Sequence, residues 1–142
     1  MKYLKTVSVI FIFISIAFVS FPAFSQEGVH IIVNSANSIN TMSQADLTKI
    51  FKSSKTTWND GTKIMLAGQK QEVAAFYGLV DTPKKDFDKH WIKLSLSGKA
   101  APLKNLADDN AVVSFVKLNS GNIGYVTGSA NLAGVKTIEI TP

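Results

Sequence analysis

The chain has 142 residues and a formal charge of +5, with ten acidic residues, fifteen basic residues that are all lysine, and no cysteine. Without cysteine there is no disulfide framework, no thiolate metal site and no lipid-modified cysteine anchor. The lysines are scattered and no aromatic ladder alternates with them, which argues against a nucleic-acid surface, while a weak preference for anionic ligands is compatible with the charge.

At the start of the chain Lys2 and Lys5 form a short positive region, an apolar run extends from Val7 to Val19, and Ala23 and Ser25 are small residues of the kind signal peptidase accepts. Residues 1–25 therefore read as a signal peptide cleaved after Ser25, and residues 26–142 as one domain; an uncleaved anchor is the alternative. The run is shorter than the about 20 residues of a membrane span, so no stable insertion is expected after cleavage. Removing 25 residues from 142 leaves 117, enough for a single domain with a modest core.

Val29 to Val33 is a β-branched run that ends in the polar cluster Asn34 to Ser38, the pattern of a buried strand entering a loop. Ser43 offers a helix N-cap with Asp46 three positions on, and Leu47, Ile50 and Phe51 then fall on one stripe. Trp58-Asn59-Asp60-Gly61 predicts a tight turn, Lys63 to Ala67 a second strand, and Gly68-Gln69-Lys70 a loop. Val73, Phe76, Tyr77 and Val80 recur at helical spacing. Thr82-Pro83 starts a further helix, with Thr82 as its cap and Phe87, Trp91 and Leu94 on its buried face.

Gly98 ends that helix, and Lys99 to Leu106 reads as a loop because Pro102 forbids regular pairing. Asp108 opens a helix with Val112, Phe115 and Val116 as its stripe, and Asn119-Ser120-Gly121 predicts a left-handed stop. Ile123 to Thr127 is a third strand, Gly128 to Gly134 a small-residue turn or short helix, and Val135 to Ile140 a final strand. Strands separated by helices predict an α/β fold with a mostly parallel sheet flanked by helices.

Catalytic chemistry finds little support. There is no nucleophile elbow, and the two histidines, His30 and His90, lie sixty positions apart, so no enzyme, cofactor or metal is expected. Asp86 and Asp88 point in different directions on a helix, and Asp108 and Asp109 sit where a cap is wanted. The glycines of Gly121-Asn122-Ile123-Gly124-Tyr125 follow a helix and precede a strand, the reverse of a phosphate loop, and fit a helix stop with a close backbone approach. Trp58 and Trp91 are expected in packing.

The order Val33-Asn34, Leu47-Thr48-Lys49-Ile50-Phe51-Lys52, Trp58-Asn59-Asp60-Gly61 and Gly121-Asn122-Ile123-Gly124-Tyr125-Val126 resembles the phosphate ABC transporter substrate-binding protein family, in its short members with a single lobe. The resemblance runs from about Val29 to Val126. It implies one lobe of periplasmic-binding-protein type II, located in the periplasm, which holds a small anion such as phosphate and works with an inner-membrane transporter or sensor. Family members hold the anion with loop hydroxyls, helix N-termini and an arginine; here the matching segment, Leu66 to Glu72, contains no arginine, serine or threonine, which leaves Lys70 as the available charge. The expected ligand residues lie where strands meet helix starts: Ser35, Asn37 and Ser38 after the first strand, and Gly68, Gln69 and Lys70 after the second. The alternative is an interaction or sensor-accessory module of the envelope that keeps the lobe without the ligand.

Overall fold

A computed structural model describes residues 28–100 and 102–142. The expected signal peptide, residues 1–25, lies outside the described residues. In chain order the elements are β1 (Val29–Asn34), β2 (Thr41–Ser43), α1 (Gln44–Phe51), β3 (Met65–Gln69), α2 (Ala74–Leu79), α3 (Lys84–Ser97), β4 (Lys104–Leu106), α4 (Asp109–Leu118), β5 (Asn122–Thr127) and β6 (Val135–Thr141).

Among the described residues the strands form one six-stranded sheet in the order β2-β6-β1-β5-β3-β4. The pairs β2–β6, β5–β3 and β3–β4 are parallel, whereas β1 runs antiparallel to both of its neighbours, β5 and β6. The sheet is thus mostly parallel, as the sequence implies, with one opposed strand at its centre. Helices cover both faces. Ile31, Leu66, Ile123 and Tyr125 point toward the α1, α2 and α3 side, where Phe51, Phe76, Phe87 and Trp91 complete the larger core. Their alternates Ile32, Ala67 and Val126 meet Val112, Val113 and Val116 of α4 on the other side. Burial on both faces explains why β1 reads as a continuous apolar run instead of an alternating one.

The helix starts follow the side-chain chemistry. Ser43 accepts from the Asp46 amide at 3.1 Å and Asp108 from the Ala111 amide at 2.8 Å, each satisfying one of the free N–H groups of a first turn. Gly98 adopts a left-handed φ of 64° and closes α3, as expected. Thr82 does not cap this helix; its hydroxyl donates to the Val80 carbonyl at 2.8 Å, and α3 begins after Pro83 without a side-chain cap.

Three further expectations are corrected. Gly68 and Gln69 belong to β3 and not to a loop, because β4 pairs with them in parallel; β4 itself occupies the end of the segment Lys99 to Leu106 that Pro102 was expected to keep irregular. Asn119 is extended, with φ −143°, and Gly121 has no positive φ, so α4 does not end in a left-handed stop. The glycine is needed for proximity instead: a Cβ at Gly121 would lie 2.1 Å from the Lys63 carbonyl oxygen.

Candidate functional site

The connections fix where a ligand can reach the sheet. The chain leaves the carboxyl end of β3 toward the α2 and α3 face and returns to β4, then leaves β4 toward the opposite face through α4 and returns to β5. Two connections that depart to opposite faces open a crevice between the carboxyl ends of β3 and β4, the switch point at which open α/β sheets bind ligands.

Gln69 stands in that crevice and is 8% exposed. Its amide donates to the Tyr125 hydroxyl at 3.2 Å, and its side-chain nitrogen donates to the Tyr125 carbonyl at 3.1 Å and to Asp109 Oδ1 at 2.6 Å. The Lys70 amide donates to the Leu106 carbonyl at 2.9 Å. The Thr127 amide reaches Asp109 Oδ1 at 3.0 Å, and the Thr127 hydroxyl donates to Asp109 Oδ2. The Asp109 carboxylate therefore occupies the junction of β3, β5 and α4 and accepts from donors that would otherwise face an incoming anion. Tyr125 is itself part of this scaffold, and burial pushes its hydroxyl up to about 12.

Burial also pushes the Asp109 carboxyl up, but the bonds from the Thr127 hydroxyl, the Thr127 amide and Gln69 outweigh it and hold the group below the usual aspartate range. A carboxyl lowered in the folded state stabilises the fold above its unfolded value, about 3.9, and that contribution disappears as pH falls through the lowered value. Acid unfolding followed by circular dichroism is expected to show a loss of stability below about pH 4. Asp109→Asn should lack this component and should be less stable at neutral pH by about 1 kcal/mol, since charge-assisted bonds become neutral ones.

Two cavities flank Gln69. On the α3 side lies a cleft of about 680 Å³, walled by Phe87, Trp91, Ile92, Leu96 and Leu103, with Lys70, Glu72, Lys84 and Asp88 at its polar end. Lys84 and Asp88 neutralise each other at 2.5 Å, and Glu72 lines the same end as Lys70, so the formal charges there balance. Ile92 and Leu96, 60% and 85% exposed, give the cleft an open apolar lip. On the α4 side a shallower cavity of about 410 Å³ carries Asp108, Asp109, Thr127 and Ser129.

The six expected ligand residues divide into two groups. Gln69 and Lys70 line the α3-side cleft, and Gly68 lies beneath it in the β3–β4 ladder, where an added Cβ would meet Asn105 Oδ1 at 3.0 Å. Ser35, Asn37 and Ser38 lie at the other end of the sheet, because antiparallel β1 delivers its carboxyl end beside the amino ends of β5 and β3. The separation is the length of β1, about 17 Å. The polar groups of Asn37 are spent on its own surroundings: its amide donates to the Asn34 carbonyl, its Oδ1 accepts from the Ile39 amide and its Nδ2 donates to the Ser120 carbonyl. The residues that sequence reasoning missed are Asp109, Thr127 and Tyr125. The one signal available was a second acid beside a cap that needs only one.

Trp58 and Trp91 are buried, and their indole N–H groups donate to the Gly121 and Phe51 carbonyls at 3.1 and 3.0 Å. His90 is engaged with the Lys52 carbonyl at 2.7 Å. Among the described residues no three His, Asp or Glu side chains gather as a metal site, and no helix is long and apolar enough to cross a membrane.

With this geometry in view, the chain can be set beside solved structures that it resembles. A Clostridium perfringens protein described as a phosphate ABC transporter substrate-binding protein, with bound phosphate, matches 80% of this chain and 44% of its own at 15% identity and a TM-score of 0.63. The fold is that of one lobe of such a protein. A possible phosphate-binding protein of Planctomyces limnophilus matches 80% of this chain and 41% of its own at 20% identity and a TM-score of 0.61. An ABC-type phosphate transport receptor of Vibrio cholerae gives 80%, 46%, 20% and 0.54. The chain spans less than half the length of these proteins, and at such identities the likeness is one of fold. No protein family and no curated protein matches the sequence.

Proposed function

We propose that the protein is a solute-binding lobe of the phosphate importer type, exported to the periplasm, which holds a small oxyanion without covalent chemistry and presents it to an inner-membrane transporter or sensor. The observation that carries this reading is the crevice at the β3–β4 switch point, on a fold similar to one lobe of phosphate binders. Lys70 supplies the charge and the polar end of the α3-side cleft the seat. A lysine acts as a point charge and cannot make the planar two-pronged contact of arginine, so selectivity among phosphate, sulfate and related oxyanions is expected to be low.

Isothermal titration with phosphate and sulfate tests the reading. Saturable heat is expected, with affinity lowered about fivefold in Lys70→Gln, the worth of one partly solvated ion pair. No heat and no thermal shift with any oxyanion would remove it.

One observation favours a second reading. Asp109 already fills the junction of β3, β5 and α4, and the amides of Gln69 and Lys70 are already paired. A lobe whose strand ends are satisfied internally suits an interaction or sensor-accessory module that has given up its ligand. Capture of a membrane partner that depends on Ile92 and Leu96, together with silence in the titration, would establish this second role.

A further inference from the structure

We infer that a second anion site, independent of the switch-point crevice, lies between the loop that follows α1 and the loop that follows α3, and that it takes a compact oxyanion of the phosphate class. The cavity measures about 220 Å³. Its charged lining consists of Lys55, Lys63 and Lys99, with Ser53 and Thr56 adding hydroxyls.

The distribution of charge singles this cavity out. The α3-side cleft balances two lysines with two carboxylates, and the α4-side cavity is acidic. Here no carboxylate lines the wall, and among the described residues none of the three lysines forms an ion pair. The nearby Asp60 is turned to its own loop, where its Oδ1 accepts from the Thr62 amide at 2.9 Å. The like charges of three lysines that line one small cavity repel one another, and a bound anion converts that repulsion into attraction. The floor strengthens the effect. Ile50, Ile64 and Leu66 are buried beneath the lysines, so part of the site is bounded by low-dielectric material instead of water.

The framework that holds the lysines is ordered by the backbone. The Ser54 and Lys55 amides both donate to the Lys49 carbonyl, at 2.8 and 3.1 Å, and the Ile64 amide donates to the Thr56 carbonyl at 2.9 Å. Ser53 sits in the left-handed region with φ 59°, an uncommon conformation for a residue with a Cβ, at the point where α1 turns into the cavity wall. Lys63 and Lys99 are exposed, so they can be replaced without disturbing the core.

Amide chemical shifts of ¹⁵N-labelled protein, followed during titration with inorganic phosphate at constant ionic strength, test the site. Ser53, Thr56 and Lys63 are expected to shift saturably, and the double substitution K63Q/K99Q to weaken that response about tenfold while leaving the shifts of Lys70 and Gln71 unchanged. Co-sedimentation with phosphatidylglycerol vesicles, with phosphatidylcholine as the control, identifies the source of the anion. Vesicle binding that the double substitution removes places a lipid headgroup in the cavity, and a response to free phosphate alone places a solute there. Silence of the three amides toward both probes, or a response that K63Q/K99Q leaves intact, overturns the inference. Shifts confined to Lys70 and Gln71 overturn it as well, while leaving the switch-point reading standing.

Discussion

Phe76→Ala is expected to lower the unfolding free energy by about 4 kcal/mol, the range for a fully buried phenylalanine. Phe76 is 0% exposed and is the hub of the aromatic core. Its ring stacks on Tyr125 with centroids 3.7 Å apart and meets Phe51, Tyr77 and Phe87 edge to face at 4.9, 5.4 and 5.7 Å. Alanine leaves a cavity whose walls belong to α1, α2, α3 and β5, so no single element can move to fill it. A small domain has about 5–15 kcal/mol in total, and urea unfolding should therefore show a midpoint close to the loss of the native state. Phe76→Leu, which keeps most of the volume, should lose about half as much. Because Tyr125 also receives the Gln69 amide, the alanine variant should loosen the crevice before the whole domain unfolds.

The second large effect is expected at Gly121. A Cβ there would lie 2.1 Å from the Lys63 carbonyl oxygen, a backbone atom that cannot swing aside. Gly121→Val must push the entry of β3 away from β5. That movement strains two bonds to the Gly121 carbonyl, from the Trp58 indole at 3.1 Å and from the Met65 amide at 3.3 Å. Overpacking of about 1–3 kcal/mol, added to a buried indole donor left without its acceptor at about 1–3 kcal/mol, gives a loss of about 4 kcal/mol. Gly78 is the control. It lies in α2 with nothing within 4 Å of an added Cβ, and Gly78→Ala should raise stability by about 0.5–1 kcal/mol through helix propensity. Thermal unfolding of the two variants side by side would separate a steric effect from the general cost of replacing glycine.

Much of the fold is legible in the residues because the signals are local. Ser43 and Asp108 cap the helices whose first turns they precede in sequence, and the stripes Leu47-Ile50-Phe51 and Val112-Phe115-Val116 are the faces that become buried. β2 and β4 escape detection because three residues carry no period; they are strands only because β6 and β3 pair with them. Strand direction is equally invisible. Val29 to Val33 announces a buried strand, but nothing in it says that the strand will oppose its neighbours, and that one bit of information places Ser35, Asn37 and Ser38 at the far end of the sheet from Gly68, Gln69 and Lys70. Asp109 illustrates the same limit. In sequence it is an acid in a first helical turn, where the dipole favours it; its partners Gln69 and Thr127 lie 40 and 18 positions away.

The opposed central strand also has a bearing on how the molecule is assembled. β1 is the first strand of the described chain, yet its two neighbours are the last two, so its edges stay bare until about a hundred further residues have been threaded into place. Such long-range closure raises the contact order and favours slow, late, all-or-none folding over stepwise growth from the N-terminus. A ribosome-bound or truncated product ending before Val135 would leave one flank of β1 open to any other extended segment, and self-association of such fragments is the expected hazard.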